Sequence, residues 1–130
     1  MNHASMNAAV QAELPDAHGL RALRFRLQGR REVLLAELHA HVRAARGGAP
    51  AEPGGDEVLL TQLREIDLAE AQRDADELES IGAALRRMES DEYGLCAACG
   101  AVIGHARLTA NPHALRCVKC EAARELAPNQ

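Results

Sequence analysis

The chain has 130 residues, of which 47% are hydrophobic but only 2% aromatic, with one Phe, one Tyr and no Trp. That length suits one domain or two small ones and excludes large catalytic architectures; apolar content made of Ala, Leu, Val and Ile favours thin helical packing over a thick core. Fifteen Lys and Arg against nineteen Asp and Glu give a formal net charge of −4, the wrong sign for a protein that holds nucleic acid by neutralising phosphates. No apolar run approaches the roughly 20 residues of a membrane span, and the first residues lack the basic-then-apolar pattern of a secretion signal. The expectation is a soluble, cytoplasmic protein with no membrane contact and no direct nucleic-acid binding.

Residues 1–19 form an N-terminal arm with no sustained period, expected to be partly disordered, and Pro15-Asp16 marks a helix boundary. From Leu20, the positions Leu20, Leu23, Leu27, Leu34, Leu38, Val42 and Ala45 make a helical stripe interrupted only at Arg30-Arg31, predicting a helix over 20–46. Gly47 to Asp56 holds four Gly and two Pro and must be a loop. Asp56 suits the N-cap of a second helix running to Glu92, with Leu59, Leu60, Leu63 and Ile66, then Leu78, Ile81, Leu85 and Met88, as its stripe. Its weakest stretch is the Ala-rich, charged Ala69–Asp76. The first arm carries seven Arg and two Glu, the second four Arg and eleven acidic residues. Opposite charge and a short loop predict an antiparallel coiled-coil hairpin over 20–92, projecting roughly 40 Å, with loop 47–56 as its tip. A three- or four-helix bundle burying the same stripes is the alternative.

The last third reads Cys96-x2-Cys99, seventeen intervening residues, then Cys117-x2-Cys120. In a reducing compartment, four cysteines so spaced are a metal site rather than two bridges. A two-residue gap lets both sulfurs of a pair face one centre, and four thiolates suit one zinc ion in a closed, structural shell. His105 and His113 lie between the pairs as loop residues or outer-shell donors. His39 and His41, two apart on a helix, point to different faces and read as surface residues. Arg107, Arg116 and Lys119 either offset the thiolate charge or are ordinary solvated groups. Ser5, Ser80 and Ser90 stand in no catalytic context, so no enzyme is predicted.

The run Asp91-Glu92-Tyr93-Gly94-Leu95-Cys96-Ala97-Ala98-Cys99-Gly100, with Ile103-Gly104, Arg107-Leu108-x-Ala110, Pro112 and Cys117-x-x-Cys120, resembles the four-cysteine zinc finger of the bacterial DksA/TraR regulators. The resemblance implies a mainly α fold: a long antiparallel hairpin on a small base, residues 93–130, containing the zinc finger and a C-terminal helix near 118–126. It implies that the hairpin enters the secondary channel of bacterial RNA polymerase, that acids at its tip act near the active site, and that DNA is not bound. Guanosine tetraphosphate is the family's partner nucleotide at that interface. A well-studied member carries Asp-x-x-Asp-x-Ala at the tip; counting back from the first cysteine puts those positions at Pro53, Asp56 and Val58, so one Asp is retained, with Glu52 beside the missing one. Asp56 thus reads either as a tip acid assisted by Glu52 or as a helix cap. A zinc-stabilised helical adaptor that binds another protein or itself, without acting on polymerase, is the competing function.

Overall fold

The computed structural model describes residues 14–127, so most of the expected arm lies outside the described residues. Asp16 opens helix α1 (Ala17–Ala45): its carboxylate accepts from the Gly19 amide at 2.7 Å and satisfies one of the free first-turn donors. The buried side chains of α1 are Leu23, Leu27, Leu34, Leu38 and Val42, the stripe expected from the spacing; Ala45, at its end, is exposed. The two arginines that interrupt the stripe both cross to other elements. Arg30 makes paired hydrogen bonds to Glu77 at 2.6 and 2.9 Å, and Arg31 donates to Asp56. α1 ends at Gly47-Gly48, where φ values of 66° and 99° need residues without a Cβ. The Gly48 amide closes onto the Arg43 carbonyl at 2.8 Å.

The second arm departs from a single helix over 57–92. It consists of α2 (Asp56–Arg64) and α3 (Ala69–Glu89), joined by Glu65–Leu68. The physical reason is phase. Leu63 and Ala71 are eight residues apart, which in an unbroken helix leaves them about 80° out of register. Continuing the stripe of Leu59, Leu63 and Ile66 would carry Glu70, Asp74 and Glu77 into the core, whereas the break turns Ala71, Ala75 and Leu78 inward. Gln72 covers the opened backbone, its side-chain amide donating to the Leu63 and Ile66 carbonyls at 2.6 and 2.8 Å. Asp56 is the first residue of α2 rather than its cap; Gly55 holds the cap position without a side-chain bond.

α2 starts beside Arg31 and ends against Val42 and Arg46, so it runs alongside α1 in the same direction. α3 returns antiparallel, with Asp74 near His41 and Met88 in the cluster of Leu23 and Leu27. The antiparallel hairpin is therefore α1 with α3, and α2 is laid into its distal half. A distal core joins Leu38 and Val42 to Leu59, Leu63, Ala71, Ala75 and Leu78.

The proximal core binds the hairpin to the base. Leu23, Leu27 and Leu34 of α1 and Ile81, Ala84 and Met88 of α3 meet Tyr93, Ile103, Leu108 and Ala114. The base contains helices α4 (His105–Ala110) and α5 (Val118–Glu125) and one isolated antiparallel bridge, Leu95 with Val102. Tyr93 donates to the Pro112 carbonyl at 2.8 Å, and burial pushes its hydroxyl up to about 12. Arg26 donates to the Thr109 carbonyl at 2.9 Å. α5 lies close to the expected 118–126 but buries no residue; it attaches through Cys120, and Val118 and Leu126 face solvent. The helix is thus joined to the base at a cysteine and not through a buried apolar face. No described helix is long and apolar enough to cross a membrane.

Leu34 is wholly buried between arms and base, so Leu34→Ala should cost about 2–5 kcal/mol in a denaturant melt. His113 sits against Glu77 and Arg30; burial pushes its pKa below the ordinary 6.5, with Glu77 opposing and Arg30 adding to the shift. The folded value is depressed, so the unfolded chain takes up the proton first. This contribution to stability is complete above pH 6.5 and is lost as pH falls through the folded value. Denaturant melts from pH 7.5 downward should show a loss beginning near pH 6.5 that His113→Gln reduces; identical profiles would contradict the assignment.

Candidate metal centre and hairpin tip

The four cysteines converge from two short segments. Cys96 follows the bridge residue Leu95, its amide donates to the Ala101 carbonyl at 2.7 Å, and the Gly100 amide returns to the Cys96 carbonyl at 2.9 Å. Gly100, at φ 79°, makes this knuckle turn. The second pair opens α5: Cys117 is its N-cap, with Sγ accepting from the Cys120 amide at 3.4 Å. The Ala97 amide donates to the Leu115 carbonyl at 2.7 Å and ties the two segments together.

The Sγ atoms of Cys96, Cys99, Cys117 and Cys120 all lie within 4.8 Å of one another, and those of Cys99 and Cys117 are 3.9 Å apart. Four sulfurs at about 2.3 Å from one tetrahedral ion stand about 3.8 Å apart, so the donor set fits zinc with only small adjustment. Burial opposes ionisation of Cys96, but the backbone amides of Cys117, Cys99 and Ala98, helped by the Cys99 thiol, bring it down to about 6. Hydrogen bonding of its thiol to the Cys117, Cys99 and Cys96 sulfurs pushes Cys120 up to about 12. A dication bound there must displace any protons that the sulfurs keep. Filled by four thiolates, the ion has no open position for substrate or activated water, which makes the site structural.

Of the other groups that the sequence brings near the cysteines, the two arginines have partners of their own. Arg107 donates to the Arg116 carbonyl at 3.0 Å, Arg116 pairs with Glu121 at 3.6 Å, and Lys119 is exposed. His105 faces the Thr109 hydroxyl at 3.4 Å. Neither His105 nor His113 belongs to the cysteine cluster.

Loop 47–56 folds back along α1, from the end of that helix to Asp56 beside Arg31. Asp56 lies on the flank of the hairpin, paired with Arg31 and beside a surface that includes Gly82, Arg86, Leu115 and Arg116. Glu52 is exposed, 3.8 Å from Arg46, and its amide donates to the Gln62 side chain at 3.0 Å. Pro53 is exposed, and Val58 is at the edge of exposure. The distal end of the molecule is formed by Arg46–Gly48 and by Glu65–Leu68, of which Glu65, Asp67 and Leu68 are exposed. Sequence reasoning misses this second turn because Ile66-Asp67-Leu68 contains neither Gly nor Pro.

Residues 91–126 match the prokaryotic dksA/traR C4-type zinc finger. The chain is 30% identical over 115 residues to the RNA polymerase-binding transcription factor DksA of Escherichia coli K12, an alignment covering 88% of this chain and 74% of that protein. It is 35% identical over 72 residues to the protein of the same description from Haemophilus influenzae, covering 54% of this chain but half of that relative's length. The solved structure of transcription factor DksA2 from Pseudomonas aeruginosa superposes with a TM-score of 0.58 at 24% identity, covering 88% of this chain and 89% of that one, a likeness of fold.

Replacing Cys96 or Cys117 by Ser should weaken zinc binding at least tenfold, since changes even outside the ligand shell cost about 10–100-fold. The near-ultraviolet signal of Tyr93, the only tyrosine, should be lost with the metal while most far-ultraviolet helicity from α1 and α3 persists. Unchanged zinc affinity in either variant would contradict the ligand set.

Proposed function

We propose, from the premise that this chain belongs to the DksA/TraR family, that it is a non-enzymatic, cytoplasmic transcription regulator that binds bacterial RNA polymerase through its secondary channel without contacting DNA. The observation that carries this reading is the span of the likeness. Identity of 30% runs over 115 residues and so takes in the arms as well as the zinc finger, and the arms stand antiparallel on a four-cysteine base. The negative net charge supports a protein rather than a nucleic-acid partner.

In this reading Cys96, Cys99, Cys117 and Cys120 hold zinc, the base sets the angle of the hairpin, and the distal end leads into the channel. Asp56, assisted by Glu52, is the acid offered to the polymerase, from the flank of the hairpin rather than from its distal end. To act there it must leave Arg31, and the half-exposed pair resists this only weakly, since such pairs contribute about 0–1 kcal/mol. Guanosine tetraphosphate is proposed as a joint ligand of the protein and polymerase. A zinc-stabilised adaptor remains the second reading because Phe25, the one phenylalanine, is 78% exposed on the outer face of α1 and offers a contact for another protein.

Zinc-loaded protein should bind core RNA polymerase saturably. Asp56→Asn should retain binding and stability but lose at least half of any effect on transcription in vitro, while Arg31→Gln, which frees Asp56, should strengthen that effect. Absence of binding by folded, zinc-replete protein would leave the adaptor reading in its place.

A further inference from the structure

A second group of metal-ligating side chains lies in the distal half of the hairpin, remote from the cysteines along both arms. His41 of α1 and Glu70 and Asp74 of α3 each offer one donor atom, all within 4.8 Å of one another. Glu70 and Asp74 are four residues apart and leave α3 from one face, and His41 meets them from the facing helix. Its spacing from His39 predicts a surface residue, yet its side chain is 19% exposed, and that of Asp74 only 16%.

The pairing within this group is incomplete. His41 Nε2 lies 3.7 Å from Asp74 Oδ2, too far for a hydrogen bond, and Asp74 Oδ2 is buried without a hydrogen-bond partner among the described residues. Arg30 is near enough to feel the Asp74 charge, but its two side-chain hydrogen bonds go to Glu77. A buried carboxylate oxygen left without a partner is costly, and a cation removes that cost. Two donors each about 2.1 Å from one tetrahedral ion stand about 3.4 Å apart, within a small side-chain adjustment of the observed separation.

We propose that His41, Glu70 and Asp74 form a second divalent-cation site, taking a first-row transition ion such as zinc and clamping α1 to α3. One imidazole and two carboxylates favour such an ion over magnesium or calcium, which prefer all-oxygen shells. The three ligands leave a position for water, so the ion exchanges more readily than one held by four thiolates. Its two positive charges balance the two carboxylates. The clamp acts beside Ala71 and Ala75, the small buried residues at the start of α3. It stabilises the folded chain by binding that state alone.

The test is a zinc titration of the full chain, with the cysteine site already filled, against a competing chromophoric chelator, paired with thermal melts. The expected result is a second equivalent, weaker than the first, that raises the Tm. His41→Ala and Glu70→Gln should each abolish this equivalent and the zinc-dependent rise while keeping the first. Glu70 is exposed, so its substitution tests the site even where His41→Ala disturbs the arms. A single equivalent in the unsubstituted protein, or a second that survives either substitution, overturns the proposal.

Discussion

The convergence of four thiolates from two short segments is the constraint on which the rest of this structure depends. Residues 90–117 contain one short helix and one isolated bridge, too little regular structure to hold a shape unaided, and the chain has almost no aromatic side chains to fill a core. A metal bound by Cys96, Cys99, Cys117 and Cys120 replaces that missing core with a covalent-strength crosslink. Once the knuckles are closed, Tyr93, Ile103, Leu108 and Ala114 present a common apolar face, and the hairpin docks on it through Leu23, Leu27 and Met88. The metal thus fixes the base, and the base fixes where the arms point.

The arms are governed by a conflict between periodicity and charge. An unbroken second helix would drive Glu70, Asp74 and Glu77 into the core in place of Ala71, Ala75 and Leu78. Burying three carboxylates costs far more than opening one turn whose carbonyls Gln72 can satisfy. The chain therefore breaks at Glu65–Leu68, and α2 lies parallel to α1, held by Leu59 and Leu63 and flanked by the Arg31–Asp56 pair. Glu77 reaches Arg30 instead of entering the core. The charge difference between the arms, visible in composition, is thereby converted into specific cross-helix contacts.

Much of this was legible in the residues. The spacing of Leu23, Leu27, Leu34, Leu38 and Val42 marks the buried face of α1, and two Cys-x2-Cys pairs mark the metal centre. A polymerase partner, by contrast, is proposed from family likeness alone, since nothing in composition or spacing names a partner. The path of the second arm was not legible, because Ala71 and Ala75 do not stand out as core positions in an Ala-rich stretch. The Gly- and Pro-rich loop marks a turn but not its direction, which is set by contacts distant in sequence, Asp56 with Arg31 and Leu59 with the distal core. His41 likewise reads as a surface residue until α3 is placed against it.

The claim on which this account rests is that one ion, held by four sulfurs alone, organises the base. X-ray absorption at the zinc edge, on protein carrying a single equivalent of metal, tests it most directly. One shell of four sulfurs at about 2.3 Å is expected. A shell containing nitrogen or oxygen would mean that His105, His113 or another donor completes the site, and would contradict it.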